Sequence, residues 1–287
     1  YPVIMEKNAK GENAPSTSET AILTLRKRFP NDKLLELILR YRKDTKLVST
    51  FLTVQTDANN RMHTSYNVSG TKSFRISSSK DLFGNGMNLQ NIPAGKKPGV
   101  ENVRDLFIAS PGYKLIKSDL SQAETLVVAR ILCRYGDMTL FEKYQNPDFD
   151  IHKWAASIIY NKDERDITKE ERNVGKIANH AGNYCSGPGV IVNTALKWGI
   201  NDMSYDIAKV IADTRHKQLP GLHKWWKDVE DTVSCSRVLY TCMGRRRLFF
   251  GRTSDNSVIR DAVSFEPQST VGDVCNEIFR EMYRMRD

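Results

Sequence analysis

The alternation of apolar and polar positions divides the chain into a first part of mixed helical and β-type pieces and a helix-rich remainder. Residues 1–18 are polar, carry Gly11 and Pro15, and read as a loop. Segments 20–29 and 32–48 then show helical spacing, with Leu34, Leu35, Ile38, Leu39 and Leu47 on one side and Lys and Arg over the rest, which predicts a basic helical hairpin. Between 61 and 91 the chain is rich in Ser, Thr, Asn and Gly, with short β-type pieces at 62–68 and 74–78, and 113–119 is a compact strand candidate. Helical spacing returns over 121–134 and persists to about Val238, broken by the loop from Gly182 to Gly189 and by Pro220-Gly221. Segments 238–240 and 247–250, joined around Met243-Gly244, predict a β-hairpin, and the last segment is helical again. The pattern predicts an α+β fold, a small sheet interrupted by a large helical insertion.

Composition adds exclusions. With 287 residues, 40% hydrophobic and 27% charged, the chain is neither collagen-like nor intrinsically disordered. Its five cysteines are odd in number, scattered and without a C-x-x-C pair, so neither a disulfide framework nor a zinc knuckle is indicated. No apolar run approaches the roughly 20 residues that cross a bilayer, and the N-terminus lacks a signal-peptide pattern. A soluble protein of the cytoplasm or another reducing compartment is expected, with no membrane partner. The net charge of +9 favours a polyanionic partner without selecting one. The first residue is not Met and the chain ends inside a helix-like run, so it reads as an excised segment.

Two stretches can carry chemistry. In Lys117-Ser118-Asp119-Leu120-Ser121-Gln122-Ala123-Glu124, a strand followed by a helix would place Asp119 at a strand's C-terminal end, where its hard carboxylate oxygens suit Mg²⁺. Ser121-x-x-Glu124 also satisfies a capping box, and on this octapeptide alone capping is the more economical reading. In 168–182, Thr168-x-x-Glu171 is a capping box opening a helix on which Arg172, Lys176 and His180 recur every four residues along one face. Val174, Ile177, Ala178 and Ala181 lie opposite. The two cations and the imidazole form a ladder whose pitch of about 6 Å matches a chain of phosphates. An exposed basic face is the commoner meaning of such a ladder. There is no Walker A loop, no H-E-x-x-H and no G-x-S-x-G elbow, His216 and His223 are expected in core or surface roles, and Trp225 and Trp226 in helix packing.

Taken in order, Ala14 to Glu19, His63-Thr64-Ser65-Tyr66, Arg75-Ile76-Ser77-Ser78, Asn88 to Pro93, Phe107-Ile108-Ala109, Asp119 to Glu124, Asp150-Ile151-His152, Arg172-x3-Lys176-x7-Tyr184, Gly244-Arg245-Arg246 and Gln268-Ser269-Thr270 form a collinear series. It closely resembles the polymerase domain of family A DNA polymerases over essentially the whole chain. The resemblance implies a right-hand architecture, with residues 1–60 as partial thumb, 61–124 as the first palm section, 125–237 as fingers and 238–287 as the return to the palm. It implies a template-directed DNA polymerase that binds primer-template DNA and incoming dNTPs and uses two Mg²⁺ ions. Asp119 and the carbonyl of Leu120 would bind metal, and Glu124 would be a steric gate against a ribose 2′-hydroxyl, with Gln122 nearby. Arg172 and Lys176 would hold the triphosphate, Lys176 protonating the pyrophosphate leaving group, and Tyr184 would close the nascent base-pair pocket. Arg75, Gln90, Asn91, Arg260 and Gln268 match positions along primer and template.

Three residues depart from the family pattern: His180 for a usual Phe or Tyr beside the nucleotide, Cys185 for a Gly, and Ser264 for an Asn. A fourth departure is an absence. The family's His-Asp-Glu motif does not occur before Asp287, so the chain alone is expected to lack substantial nucleotidyl transfer. A non-catalytic nucleic-acid-binding fragment, or one half of a split polymerase completed by a C-terminal palm segment in trans, stand as alternatives.

Overall fold

The computed structural model describes residues 1–8, 11–68, 70–93 and 102–285. The chain divides into two compact units, one formed by Tyr1–Glu36 with Ala123–Val271, the other by Leu37–Gln122 with Gly272–Asp287.

In the first unit the N-terminal stretch is not the expected loop. Strands β1 (Met5–Lys7) and β2 (Asn13–Pro15) pair antiparallel in register Met5↔Pro15. Their turn is closed by the Glu12 N–H donating to the Asn8 side-chain oxygen at 3.0 Å, with Gly11 in the left-handed region. With three residues per strand, alternation is too short to read from sequence. Helix α1 (Glu19–Arg28) follows, capped by the Ser18 hydroxyl accepting from the Ala21 N–H at 3.1 Å, and then α2 (Lys33–Leu47), so the helical pair appears as expected. Its apolar stripe is only partly used: Leu35 is buried while Leu34 is exposed.

The helical remainder comprises α3 (Ala123–Cys133), α4 (Thr139–Lys143), α5 (Ile151–Tyr160), α6 (Lys169–Asn183), α7 (Pro188–Lys197), α8 (Tyr205–Gln218), α9 (Gly221–Ser236) and α10 (Asn256–Arg284). Each start has a local cause. The Asp150 carboxylate caps α5 by accepting from the His152 and Lys153 N–H groups at 2.8 and 3.1 Å. Thr168 and Glu171 form the reciprocal box at α6, Pro188 opens α7, and the Ser204 hydroxyl caps α8. Helix α6 is the hub of this unit. Val174, Ile177, Ala178 and Ala181 interlock with Ile191 and Ala195 of α7 and with Ala208, Ile211 and Ala212 of α8. Its other neighbour, α5, lies unusually near because residue 175 is glycine: a Cβ there would stand 2.1 Å from the His152 carbonyl oxygen. Helix α3 packs on α4 and α9, where Trp225 is wholly buried, as its expected packing role requires. The hairpin of β5 (Val238–Tyr240) and β6 (Arg246–Leu248) forms in register Val238↔Leu248, with Gly244 supplying positive φ in its turn.

The second unit holds the antiparallel pair β3 (Ser65–Asn67) and β4 (Ser77–Ser79), and a core of Phe51, Met87, Ile92 and Val103. Segment 113–119, expected as a strand, forms none: it runs exposed without regular hydrogen bonding, with Leu115 and Ile116 turned to solvent. A strand exists only as part of a ladder, and none of the strands among the described residues pairs with it. The α+β expectation holds as helices with three two-stranded sheets, rather than as one sheet.

Candidate nucleotide-binding face

The helix that opens at Thr168 presents the ladder as the spacing requires. Val174, Ile177, Ala178 and Ala181 are buried, Arg172 and Lys176 are half-buried, and His180, on the opposite side, is the most accessible of the three rungs. What the spacing alone does not show is how each rung is held. The Arg172 Nε donates to the Asp150 carboxylate at 2.8 Å. One carboxylate therefore caps α5 with one oxygen and orients a guanidinium with the other, leaving the outer edge of Arg172 to donate elsewhere. Burial works against the charge of Asp150, but Arg172 and the two backbone N–H groups outweigh it and hold the carboxyl below its usual range. The Lys176 ammonium lies over the Trp198 ring at 5.5 Å, a cation–π contact.

His180 and His152 face one another with ring centroids 6.0 Å apart. Burial, together with the nearby cations Arg172 and Lys176, pushes the His152 pKa down to about 4. His180 is also lowered, chiefly by loss of hydration and by Lys176, while Glu124 pulls the other way. Both imidazoles are neutral at pH 7. Asn179 on the same helix donates to the Ile151 carbonyl at 3.0 Å and contacts His152 Nδ1 at 3.1 Å, which ties the ends of α5 and α6 together.

At the far end of α6 the Tyr184 hydroxyl donates to the Glu124 carboxylate at 3.0 Å. Two residues sixty positions apart, both expected in a nucleotide pocket, are thus brought together. The same contact corrects the capping-box reading: α3 begins at Ala123, so Glu124 is its second residue, out of register for a box with Ser121, and its carboxylate serves Tyr184 instead. The end of α6 is a Schellman motif in which the Ser186 N–H reaches back to the Ala181 carbonyl at 3.2 Å. Its left-handed residue is Cys185, at φ 53°. That geometry explains why the family pattern has Gly there. Burial pushes the Cys185 thiol up to about 12, Arg260 opposing, so it is a poor nucleophile.

The remaining expected residues are placed as follows. In the first unit, Arg260 is half-buried and donates from Nε to the Asn256 carbonyl at 3.2 Å, and Gln268 is half-buried on α10 beyond Pro267. In the second unit, Gln90 Nε2 donates to the Ile76 carbonyl at 2.7 Å, and Arg75 and Asn91 are exposed. There too Asp119 and Leu120 are exposed, and Gln122 has positive φ. A carboxylate and a backbone carbonyl are hard oxygen donors of the kind Mg²⁺ takes, so Asp119 and Leu120 fit such an ion as a partial donor set. Among the described residues no group of three His, Cys, Asp or Glu side chains stands close enough to complete one. No described helix is long and apolar enough to cross a membrane. Sequence reasoning gave no role to Asp150, His152, Asn179, Gly175 or Trp198. The Asp150-Ile151-His152 triplet was visible as a motif, but its link to Arg172 depends on helix packing.

The family model for DNA polymerase family A matches residues 3–286, and the chain belongs to that family. It is similar to DNA polymerase I of Pseudomonas aeruginosa, 31% identical over 94% of this chain and 28% of that protein. It also resembles DNA polymerase I of Chloroflexus aurantiacus (30%, covering 86% and 25%) and the thermostable DNA polymerase I of Thermus aquaticus (30%, covering 81% and 26%). The chain therefore spans about a quarter of the length of the curated relatives it matches. Its fold is similar to part of the POL domain of Pol1 from M. smegmatis, solved in complex with DNA primer-template and dNTP, with TM-score 0.75 and 24% identity over 94% of this chain and 45% of that one.

Proposed function

We propose that this chain is the nucleotide- and template-handling part of a template-directed DNA polymerase. The observation that carries the reading is the face of α6 on which Arg172, Lys176 and His180 follow one another and end at the Tyr184–Glu124 hydrogen bond. Arg172, oriented by Asp150, and Lys176 bind the triphosphate, and Lys176 delivers a proton to the departing pyrophosphate. His180 lies against the sugar and base. Glu124 stands where a 2′-hydroxyl would be, and Tyr184 closes the pocket. Two Mg²⁺ ions, held in part by Asp119 and Leu120, would stabilise the attacking and leaving oxygens of an in-line displacement by a primer 3′-hydroxyl. Arg75, Gln90, Asn91, Arg260 and Gln268 contact primer and template without reading sequence. Residues 1–60 act as partial thumb, 61–124 and 238–287 as palm, and 125–237 as fingers. The boundary between the compact units at Gln122/Ala123 falls two residues before the proposed palm–fingers boundary.

Equilibrium binding of dNTPs to the chain on a dideoxy-terminated primer-template tests this without bond formation. Binding should follow the template base, and Lys176→Ala and Arg172→Ala should each weaken it by about tenfold or more, as expected for a lost charge-assisted contact. Glu124→Ala should narrow the preference for dNTP over the matching ribonucleotide. Affinity independent of the template base would refute the reading.

A further inference from the structure

The first unit buries a guanidinium that none of the roles above uses. Arg215, on α8, is 2% exposed, and its Nε and Nη1 meet no hydrogen-bond acceptor among the described residues. Its pKa is pushed down by burial to about 9, still above neutral pH, so a positive charge sits in the core. A buried cation without a paired anion is strongly disfavoured unless something else compensates it.

Tyr144 and Asp137 favour the charge electrostatically, and the direct contacts lie at the end of α6. Arg215 Nη2 donates to the Asn183 side-chain oxygen at 3.3 Å. Its aliphatic stem fills the space that Gly182 leaves, where a Cβ would stand 2.8 Å from Arg215 Cγ. The guanidinium carbon lies 5.5 Å from the Trp154 ring centroid on α5. Gly182 and Asn183 are the last residues of α6, so the cation meets the negative end of that helix's dipole. Asn183 is held from a second side, its carbonyl accepting from Trp226 Nε1 on α9 at 3.2 Å. The next residue is Tyr184.

We propose that Arg215 is a positioning residue that locks the C-terminal turn of α6, and with it Tyr184, in the register needed to discriminate the incoming base. The inference rests on the proposed role of Tyr184. It assigns base selection, rather than triphosphate affinity, to a side chain that never touches the nucleotide.

The test uses the same dideoxy-terminated primer-template, comparing complementary with mismatched dNTP. Arg215→Met keeps the stem and removes the charge, and it should lower the ratio of the two affinities by about fivefold or more, within the range of couplings between contacting residues. It leaves the Asn183 oxygen unpaired and so also reduces stability. The double variant Arg215→Met/Asn183→Leu leaves no polar atom of the pair unmatched, and stability should recover while discrimination stays low. Recovery of both would show a merely structural role and overturn the proposal, as would an unchanged ratio in the single variant. Arg215→Lys, which retains stem and charge, should give an intermediate ratio. Should the unsubstituted chain show no template-dependent preference, the functional reading fails, and the inference is then read from amide exchange. Exchange at Tyr184 and Ser186 should quicken about tenfold when the Arg215 charge is removed, the change expected when a fixed turn opens. Unaltered exchange overturns it.

Discussion

Replacing Gly175 by Ala sets two physical effects of opposite sign against each other. On an isolated helix the change would stabilise α6 by about 1 kcal/mol, because Ala loses less backbone entropy. In this protein the new methyl would stand 2.1 Å from the His152 carbonyl oxygen, 2.9 Å from the Ala156 nitrogen and 3.1 Å from its Cβ. Two of these are backbone atoms, which cannot swing aside. Restoring ordinary contact at 3.4 Å requires α5 and α6 to part by about 1.3 Å, an overpacking displacement costing about 1–3 kcal/mol. The same shift would stretch the 2.8 Å Arg172–Asp150 bond and the 3.0 Å Asn179–Ile151 bond past hydrogen-bonding distance, each worth about 1 kcal/mol. The net expectation is a loss of about 2 kcal/mol or more, together with weaker nucleotide binding through a misaligned Arg172. Urea unfolding followed by tryptophan fluorescence measures the first, since Trp154 lies on α5. A midpoint equal to or above that of the unsubstituted chain would show that helix propensity wins and that α5 does not press on α6 as described.

Three further outcomes follow from α5 and α6. Cys185→Gly should be more stable than Cys185→Ala by about 1 kcal/mol in urea unfolding, because the two differ only in the cost of the left-handed conformation at the Schellman position; equal midpoints would count against the strained turn. Stability should fall as pH drops from 6.5 towards 4, because the folded-state pKa of His152 is depressed to about 4 and protons bind the unfolded chain preferentially throughout that window. His152→Phe should flatten this part of the profile, and an unchanged slope would remove His152 as its cause. His180 is lowered as well, so any charge-dependent difference in nucleotide choice between the unsubstituted chain and His180→Phe should grow as the pH falls, and a difference independent of pH would remove imidazole charging as its cause.

The sequence read well where a signal is local. The four-residue recurrence of Arg172, Lys176 and His180, the Thr168 capping box and the hairpin of 238–240 with 247–250 needed only spacing and turn chemistry, and each formed, the second strand of the hairpin at Arg246–Leu248. It read poorly where a signal needs a distant partner. The apolar content of 113–119 suggested a strand, but strand formation is decided by a neighbour's hydrogen bonds, and none of the described strands supplies them. Ser121-x-x-Glu124 looked like a capping box because the pattern cannot tell which residue begins the helix. Tyr184, sixty residues away, competes for the same carboxylate.

The ordered series of motifs carried the resemblance to the family, and the cationic ladder was legible because it is a property of residue type and spacing. The tertiary structure decided how that ladder is held: Asp150 against Arg172, Trp198 beneath Lys176, and the buried charge of Arg215 behind Asn183. These contacts join helices whose partners lie 22 to 32 residues apart in the chain, as with Arg172 and Asp150 or Arg215 and Asn183. Their strength depends on burial and on distances of a few ångströms, which no sequence periodicity encodes.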